Sequence, residues 1–134
     1  MKAINILYED NHILVAEKPP NMLSQADNTG DADILTLLKN DIKERYHKPG
    51  NVYLGLVHRL DRPVGGVMVF ARTSKGASRL SEQIRNGVFS KKYFAVIHGI
   101  PKKLSATLVN YLSKDEKTNT VAVVQNPEEG KKAS

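Results

Sequence analysis

The sequence predicts an α+β domain with a mainly antiparallel sheet and two helices. Three observations support this fold class. Short apolar stretches that alternate with polar residues recur along the chain, which is typical of strands. Two longer segments carry apolar residues at three- and four-residue spacing, which is typical of amphipathic helices. Clusters of proline, glycine, asparagine and aspartate separate these segments and mark where each strand or helix ends.

The first two strands are predicted over residues 4–8 and 13–17, on either side of the polar turn 9–12. Lys18-Pro19-Pro20 ends the second strand, because proline has no N–H to donate to a strand ladder. Asn21 follows and tolerates a left-handed backbone better than most residues, so a turn is expected there.

The first helix is predicted to begin at a cap, either Asp31 or Asp33, and to run to about His47. Four apolar side chains form one stripe of it, which we interpret as core: Leu35, Leu38, Ile42 and Tyr46.

The second helix is predicted to begin at Thr73-Ser74 and to end at Asn86-Gly87. Its apolar face consists of Ala77, Leu80 and Ile84. The opposite face is basic, and it is either a solvated surface or a surface that contacts RNA phosphates: Lys75, Arg79 and Arg85.

The other strands are predicted over residues 53–57, 67–71, 91–99, 105–112 and 119–124. The polar residues 125–134 are expected to form a frayed tail. The length of 134 residues favours a single domain that spans residues 1–134.

Composition narrows the classes of function. Lysine and arginine total 20 against 14 acidic residues, and the net charge of +6 favours a polyanionic partner such as nucleic acid. The absence of cysteine excludes disulfides, cysteine-bound zinc and thiol catalysis, and it fits the reducing cytoplasm, where we expect the protein to reside.

The four histidines have no metal-binding spacing, so we expect neither a metal nor a cofactor. No stretch approaches the roughly 20 apolar residues of a membrane helix, and the first residues do not form a signal peptide.

The charged tetrapeptide His58-Arg59-Leu60-Asp61 lies between two predicted strands. Loops held by rigid strands are frequent places for chemistry. The residues alone leave two interpretations open: a surface turn with an Asp–Arg ion pair, and a functional site.

Three motifs occur in this order along the chain: a strand pair that ends in Lys-Pro over residues 6–20, HRLD over residues 58–61, and KKYFAVIHG over residues 91–99. Together they resemble the RluA family of RNA pseudouridine synthases. Residues 6–20 are similar to the family's opening strand pair that ends in Lys-Pro. The second motif is the HRLD of residues 58–61, followed by Pro-Val-Gly-Gly and the apolar run 67–71. The third is residues 91–99, KKYFAVIHG, which are similar to the family's K-x-Y-x-A-x-x-x-G strand. The resemblance covers essentially the whole chain and implies a pseudouridine-synthase-like catalytic core.

The resemblance implies a role for each site residue. Asp61 corresponds to the catalytic aspartate, which could attack the sugar carbon C1′, add to the base at C6 or remove a proton. Arg59 corresponds to the arginine that holds a flipped-out base, although a salt bridge to Asp61 or Asp10 is an equal alternative. Tyr93 corresponds to the tyrosine that stacks on the uracil, the alternative being a cross-strand core residue, and we place His58 with the substrate-binding residues.

Two departures from the family pattern affect these expectations. Val64-Gly65 stands where the family usually shows Thr-Ser, which removes hydroxyls that would fix the turn of Asp61. After Val124 the chain lacks the family's segment with a basic partner for the aspartate, and it lacks the S4 RNA-binding domain. The sequence therefore predicts a partial catalytic domain, truncated or reduced, with weak or no activity on its own. We also expect self-association through an uncovered sheet edge, or a disordered tail after about Val124.

We expect an RNA pseudouridine synthase that acts on structured ribosomal or transfer RNA. An RNA-binding remnant without catalysis is the alternative. A structural or protein-binding domain would require both the basic charge and HRLD to be coincidences.

Overall fold

The computed structural model of the protein describes residues 4–118 and 120–133. The sequence predicts a single domain, whereas the contacts divide the chain into two compact units, Met1–Lys92 and Tyr93–Ser134. The predicted α+β class, with two helices and antiparallel sheets, is confirmed.

The sheet of the first unit has four antiparallel strands in the order β1-β2-β4-β3. Their bounds are β1 Asn5–Glu9, β2 Ile13–Lys18, β3 Gly55–Leu56 and β4 Gly66–Ala71. In the central pair, Leu14 lies opposite Phe70 and Ala16 opposite Met68, and all four side chains are buried. Strand β3 is shorter than the predicted strand 53–57. Residues 53 and 54 belong to the connection that follows α1, and residue 57 begins the loop that carries HRLD.

Helix α1 spans Ile34–Arg45 and covers one face of this sheet. Of the two predicted caps, Asp33 is the one used, because its carboxylate accepts a hydrogen bond of 2.9 Å from the N–H of Thr36. The buried stripe of the helix, Ile34, Leu38 and Ile42, packs in one core cluster with the side chains of β2 and β4. Tyr46, predicted to share this stripe, lies after the helix and is 48% exposed.

Helix α2 spans Ser74–Arg85, as the sequence predicts. The hydroxyl of Thr73 caps it by accepting a hydrogen bond of 3.0 Å from the N–H of Gly76. Gly76 also allows close packing, since an added Cβ would lie 2.9 Å from the carbonyl oxygen of His12. The predicted apolar face is only half-buried, and the basic side chains of the other face are exposed. Within residues 4–118 and 120–133, no helix is long and apolar enough to span a membrane.

The second unit contains a three-stranded antiparallel sheet in the order β6-β5-β7. Its strands are β5 Asn110–Asp115, β6 Thr120–Val124 and β7 Lys131–Ala133, and a short 3₁₀ helix, Pro127–Glu129, precedes β7. The sequence predicts a frayed tail over 125–134, whereas β7 pairs with β5. The strand predicted over 91–99 is wrong, because residues 91–109 contain neither helix nor strand, and the strand predicted from 105 begins only at Asn110.

Candidate active site

Asp61 lies on an exposed turn between β3 and β4. The N–H of Val64 donates a hydrogen bond of 3.0 Å to the carbonyl oxygen of Asp61, which closes the turn. The side chain thus projects from a loop anchored on one side by the buried strand β4.

Ser24 holds the peptide group that precedes Asp61. This serine is only 5% exposed, and its hydroxyl donates a hydrogen bond of 2.6 Å to the carbonyl oxygen of Leu60. The same hydroxyl oxygen accepts a hydrogen bond of 3.1 Å from the N–H of Leu60. One buried side chain therefore satisfies both backbone groups of the residue before Asp61.

Lys18 holds the residue that follows Asp61. Its side chain is fully buried, and its ammonium group donates to the carbonyl oxygens of Met22 at 2.6 Å, Arg62 at 3.1 Å and Pro19 at 3.3 Å. Burial lowers the pKa of Lys18, and the negative charge of Asp61 opposes this effect. A buried cation thus lies near the candidate catalytic carboxylate.

The sequence analysis missed the roles of Lys18 and Ser24. The contacts that reveal them join residues 36 and 44 positions apart in the chain. The Lys-Pro motif is the available signal, but from it the sequence predicts the end of a strand and a family resemblance, and no contact with the Asp61 loop.

Arg59 is exposed and points along the surface toward the segment that precedes α1. Its guanidinium group donates a hydrogen bond of 3.0 Å to the side-chain oxygen of Gln25. Among the described residues it makes no ion pair, so the predicted alternative, a salt bridge to Asp61 or Asp10, is absent there. Its positive charge is therefore not neutralised by a carboxylate of the described ranges.

Arg62 forms an ion pair of 2.7 Å with Asp31, and both side chains are about half exposed. The pair borders a shallow depression beside the Asp61 turn, with a volume of about 260 Å³. Asn21 lines the same depression. Its φ of 65° is the left-handed backbone conformation for which the sequence analysis considers asparagine suitable at this turn.

His58 faces inward rather than toward solvent. Its Nε2 atom accepts a hydrogen bond of 3.1 Å from the N–H of Val69 in β4, and its ring lies tilted against Phe89 with a centroid distance of 5.7 Å. Burial lowers the pKa of His58, and the charge of Lys91 lowers it further. A nitrogen that accepts a hydrogen bond carries no proton, so this contact requires the neutral imidazole.

Tyr93 is the first residue of the second unit, and it is 63% exposed. It lies in no strand, so the alternative of a cross-strand core tyrosine is wrong. The structure thus brings His58, Arg59 and Asp61 together on one loop and leaves Tyr93 accessible in the other unit.

The described ranges, 4–118 and 120–133, contain no group of three or more histidine, aspartate or glutamate side chains that could hold a metal ion. Three of the four histidines are exposed: His12, His47 and His98. The chemistry available at this site is that of a carboxylate, a guanidinium group and a buried ammonium group.

The model of one protein family, described as RNA pseudouridylate synthase, matches residues 12–134. Ribosomal large subunit pseudouridine synthase C of Buchnera aphidicola subsp. Baizongia pistaciae is 33% identical over 128 residues, which cover 96% of this chain and 39% of that protein. An uncharacterized RNA pseudouridine synthase of Bacillus subtilis, YjbO, is 33% identical over 106 residues, which cover 78% of this chain and 36% of that protein. The chain thus spans less than half the length of these relatives.

A solved structure, human RNA pseudouridylate synthase domain containing 4, has a similar fold. The TM-score is 0.75, the sequence identity is 22%, and the match covers 96% of this chain and 50% of the human chain.

Proposed function

The chain belongs to the family of RNA pseudouridylate synthases, and we propose that it converts uridine to pseudouridine in structured RNA, with Asp61 as the catalytic carboxylate. The observation that carries this proposal is the position of Asp61. Asp61 is exposed, while the carbonyl groups of the residues before and after it, Leu60 and Arg62, accept hydrogen bonds from the buried side chains of Ser24 and Lys18. Catalysis by a positioned group needs this combination of access and fixed geometry.

The reaction breaks the bond between N1 of the base and C1′ of the sugar, rotates the base and joins C5 to C1′. Atoms and electrons balance within one nucleotide, so no cofactor is part of the proposal. The carboxylate of Asp61 attacks C1′, adds to C6 of the base or removes a proton, and each route requires direct access to the flipped-out nucleotide.

Arg59 is proposed to stabilise the flipped-out arrangement. Extrusion of a base costs a few kcal/mol, which a planar side chain in the gap offsets. The hydrogen bond to Gln25 supports this role, because the neutral amide orients the guanidinium group without cancelling its charge. The cation therefore remains available for a base or a phosphate.

Tyr93 is proposed to stack on the target uracil. Its 63% exposure leaves a ring face available, and stacking of a base on an aromatic ring is worth roughly 1–3 kcal/mol. The Nε2 atom of His58 accepts a hydrogen bond from β4, which links this side chain of the HRLD loop to the sheet. We propose that His58 contributes to substrate binding only by supporting the loop.

The substrate class follows from chemistry and from the names of the relatives. The net charge of +6 favours RNA, and several relatives are named as ribosomal large subunit pseudouridine synthases. We propose ribosomal RNA as the first substrate to test and transfer RNA as the second. A cytoplasmic location is part of the same proposal.

The second candidate function, RNA binding without catalysis, is favoured by the same basic charge. The two are separated by incubating the protein with RNA, digesting the RNA with nuclease and measuring pseudouridine by thin-layer chromatography. We expect pseudouridine from the wild type and none from Asp61→Asn, with RNA affinity unchanged, because the amide keeps the shape but loses the nucleophile. Substantial product from the Asn variant would refute the assignment, and RNA binding without product from the wild type would favour the second function.

Self-association is also proposed, because the second unit exposes apolar side chains along residues 93–109 and at the edge strand β6. A second copy of the chain is the occupant we propose. Unpaired edge strands and exposed apolar surface both favour contact with another chain.

A further inference from the structure

We infer that Ser24 is a positioning residue for Asp61 and supplies a side-chain tether that residues 64 and 65 of the turn cannot provide. This inference rests on the proposed catalytic role of Asp61. The starting point is the turn itself, in which positions 64 and 65 are valine and glycine. Neither of these residues can offer a side-chain hydroxyl to the backbone of the turn.

Gly65 lies too close to the β2–α1 connection for a larger side chain to be accommodated without a shift. A Cβ atom added at this position would lie 3.0 Å from Cδ of Pro20 and 3.2 Å from its backbone nitrogen. The carbonyl oxygen of Lys18 would be 3.3 Å away. The close approach of the two segments therefore leaves little room for a hydroxyl side chain at position 65.

Ser24 supplies a hydroxyl from the opposite segment. Its two hydrogen bonds to Leu60, of 2.6 Å and 3.1 Å, act on both the carbonyl and the N–H of the residue next to Asp61. Because Ser24 is 5% exposed, water competes little for these bonds. Its oxygen also lies 3.8 Å from the sulfur of Met68 in β4, so the serine is packed between the turn and the sheet.

The two hydrogen bonds fix the direction in which the side chain of Asp61 projects from the backbone. Fixing both backbone groups of Leu60 restricts the peptide that joins it to Asp61, and with it the Cα–Cβ direction of the aspartate. Loss of the hydroxyl leaves RNA contacts intact but loosens the carboxylate. The expected signature is a fall in kcat with little change in KM, because misplacement of a reacting group by about 1 Å can cost about 10²-fold in rate.

The test compares Ser24→Ala and Ser24→Thr with the wild-type protein. One measurement is the hydrogen-exchange rate of the Leu60 amide by NMR, with the amide of Ile34, which donates to the carbonyl of Leu23, as an internal reference. The other is kcat and KM for pseudouridine formation. Threonine keeps the hydroxyl that makes both hydrogen bonds to Leu60.

We expect Ser24→Ala to speed exchange at Leu60 by about tenfold or more, to lower kcat by a similar factor and to leave KM within about twofold. Ser24→Thr should restore both quantities. Ile42→Val serves as the stability control, since it removes a buried methyl group of α1 and none of the bonds to the turn. It should leave kcat unchanged.

Two results would overturn the inference: unchanged exchange at Leu60 in Ser24→Ala, or faster exchange with a wild-type kcat. Failure of the proposed function gives a different pattern, namely no pseudouridine from the wild type or full activity of Asp61→Asn. In that case the exchange measurement still decides whether the Ser24 hydroxyl fixes the turn.

Discussion

The ammonium group of Lys18 donates a hydrogen bond of 3.1 Å to the carbonyl oxygen of Arg62, 44 residues further along the chain. The bond joins the end of β2 to the residue after Asp61, and it is made by a side chain with no exposed surface. A charged donor strengthens such a bond, and burial makes its loss costly. The Lys-Pro end of β2 is therefore part of the structure that holds the candidate catalytic loop.

Lys18→Met should destabilise the protein and slow catalysis. The change leaves the carbonyl oxygens of Met22 and Arg62 without their donor, and we expect the free energy of unfolding to fall by about 2 kcal/mol. Urea denaturation measures this change, and Lys48→Met, at an exposed lysine, is the matched control. Equal effects of the two substitutions would show that the buried bonds contribute little.

His58 should make the stability of the protein depend on pH. The unfolded histidine titrates near its ordinary pKa of 6.5, and burial lowers the pKa in the folded protein. Between these values the unfolded chain binds more protons, so the contribution is complete above pH 6.5 and declines as pH falls toward the lowered pKa. His58→Gln, whose amide oxygen can still accept from Val69, should remove this part of the decline.

The measurement for His58 is the free energy of unfolding between about pH 7 and pH 5 for both proteins. His98→Gln, at an exposed histidine of the second unit, is the control and should retain the wild-type pH dependence. A wild-type slope in His58→Gln would contradict the role of the neutral imidazole in the bond to Val69.

Arg59→Ala should reduce turnover on uridines in duplex stems more than on unstructured RNA, where little base flipping is needed. Gln25→Ala should reduce turnover in the same direction but less, because it frees the guanidinium group without removing it. Single-turnover rates on the two RNAs provide the comparison. Lys117→Ala removes one positive charge from an exposed turn and should affect both RNAs equally.

The salt dependence of RNA binding provides a second test of whether Arg59 contacts the RNA. The logarithm of RNA affinity should fall linearly with the logarithm of salt concentration, and loss of one phosphate contact lowers the slope by about 0.7–0.9. An equal loss of turnover on stems and on unstructured RNA would contradict the base-flipping role of Arg59.

The helices show what local sequence can establish. Asp33 and Thr73 each accept a hydrogen bond from an N–H three residues later, which is the contact that the capping pattern predicts. The resemblance to the RluA family of pseudouridine synthases is likewise confirmed by the family match and the similarity to ribosomal large subunit synthases.

The segment 91–99 shows why parts of the fold could not be predicted from local sequence. Its alternation of apolar residues is typical of a strand, but a strand requires a partner that supplies hydrogen bonds, and local sequence does not specify that partner. Phe94 and Val96 are fully exposed as a result. The tethers at Ser24 and Lys18 were missed for a related reason, because their acceptors lie far away in the sequence.

Tyr93→Phe should retain RNA binding and slow turnover, because stacking persists while the hydroxyl is lost. Tyr93→Ala should weaken both. The exposed Tyr53 provides a matched control, and Tyr53→Phe should leave RNA affinity and turnover unchanged. Equal RNA affinities for the Phe and Ala variants at position 93, measured by fluorescence anisotropy, would show that Tyr93 does not stack on the substrate.

The 134-residue chain should self-associate through its second unit. Four large apolar side chains there are almost completely exposed: Phe94, Val96, Ile100 and Leu104. The edge strand β6 adds Val121 and Val123, which are 59% and 64% exposed. Exposed apolar side chains of this kind favour association, because a contact with another chain removes them from water.

Light scattering after size-exclusion chromatography, over protein concentrations from about 1 μM to about 1 mM, should show a mass that rises above that of the monomer. Phe94→Ser combined with Leu104→Ser should shift the rise to higher concentration. Val67→Ser combined with Val88→Ser, at two exposed valines of the first unit, is the control and should leave it unchanged. A constant monomer mass across this range would refute self-association, and a rise that the second-unit double variant leaves unchanged would locate the contact outside the second unit.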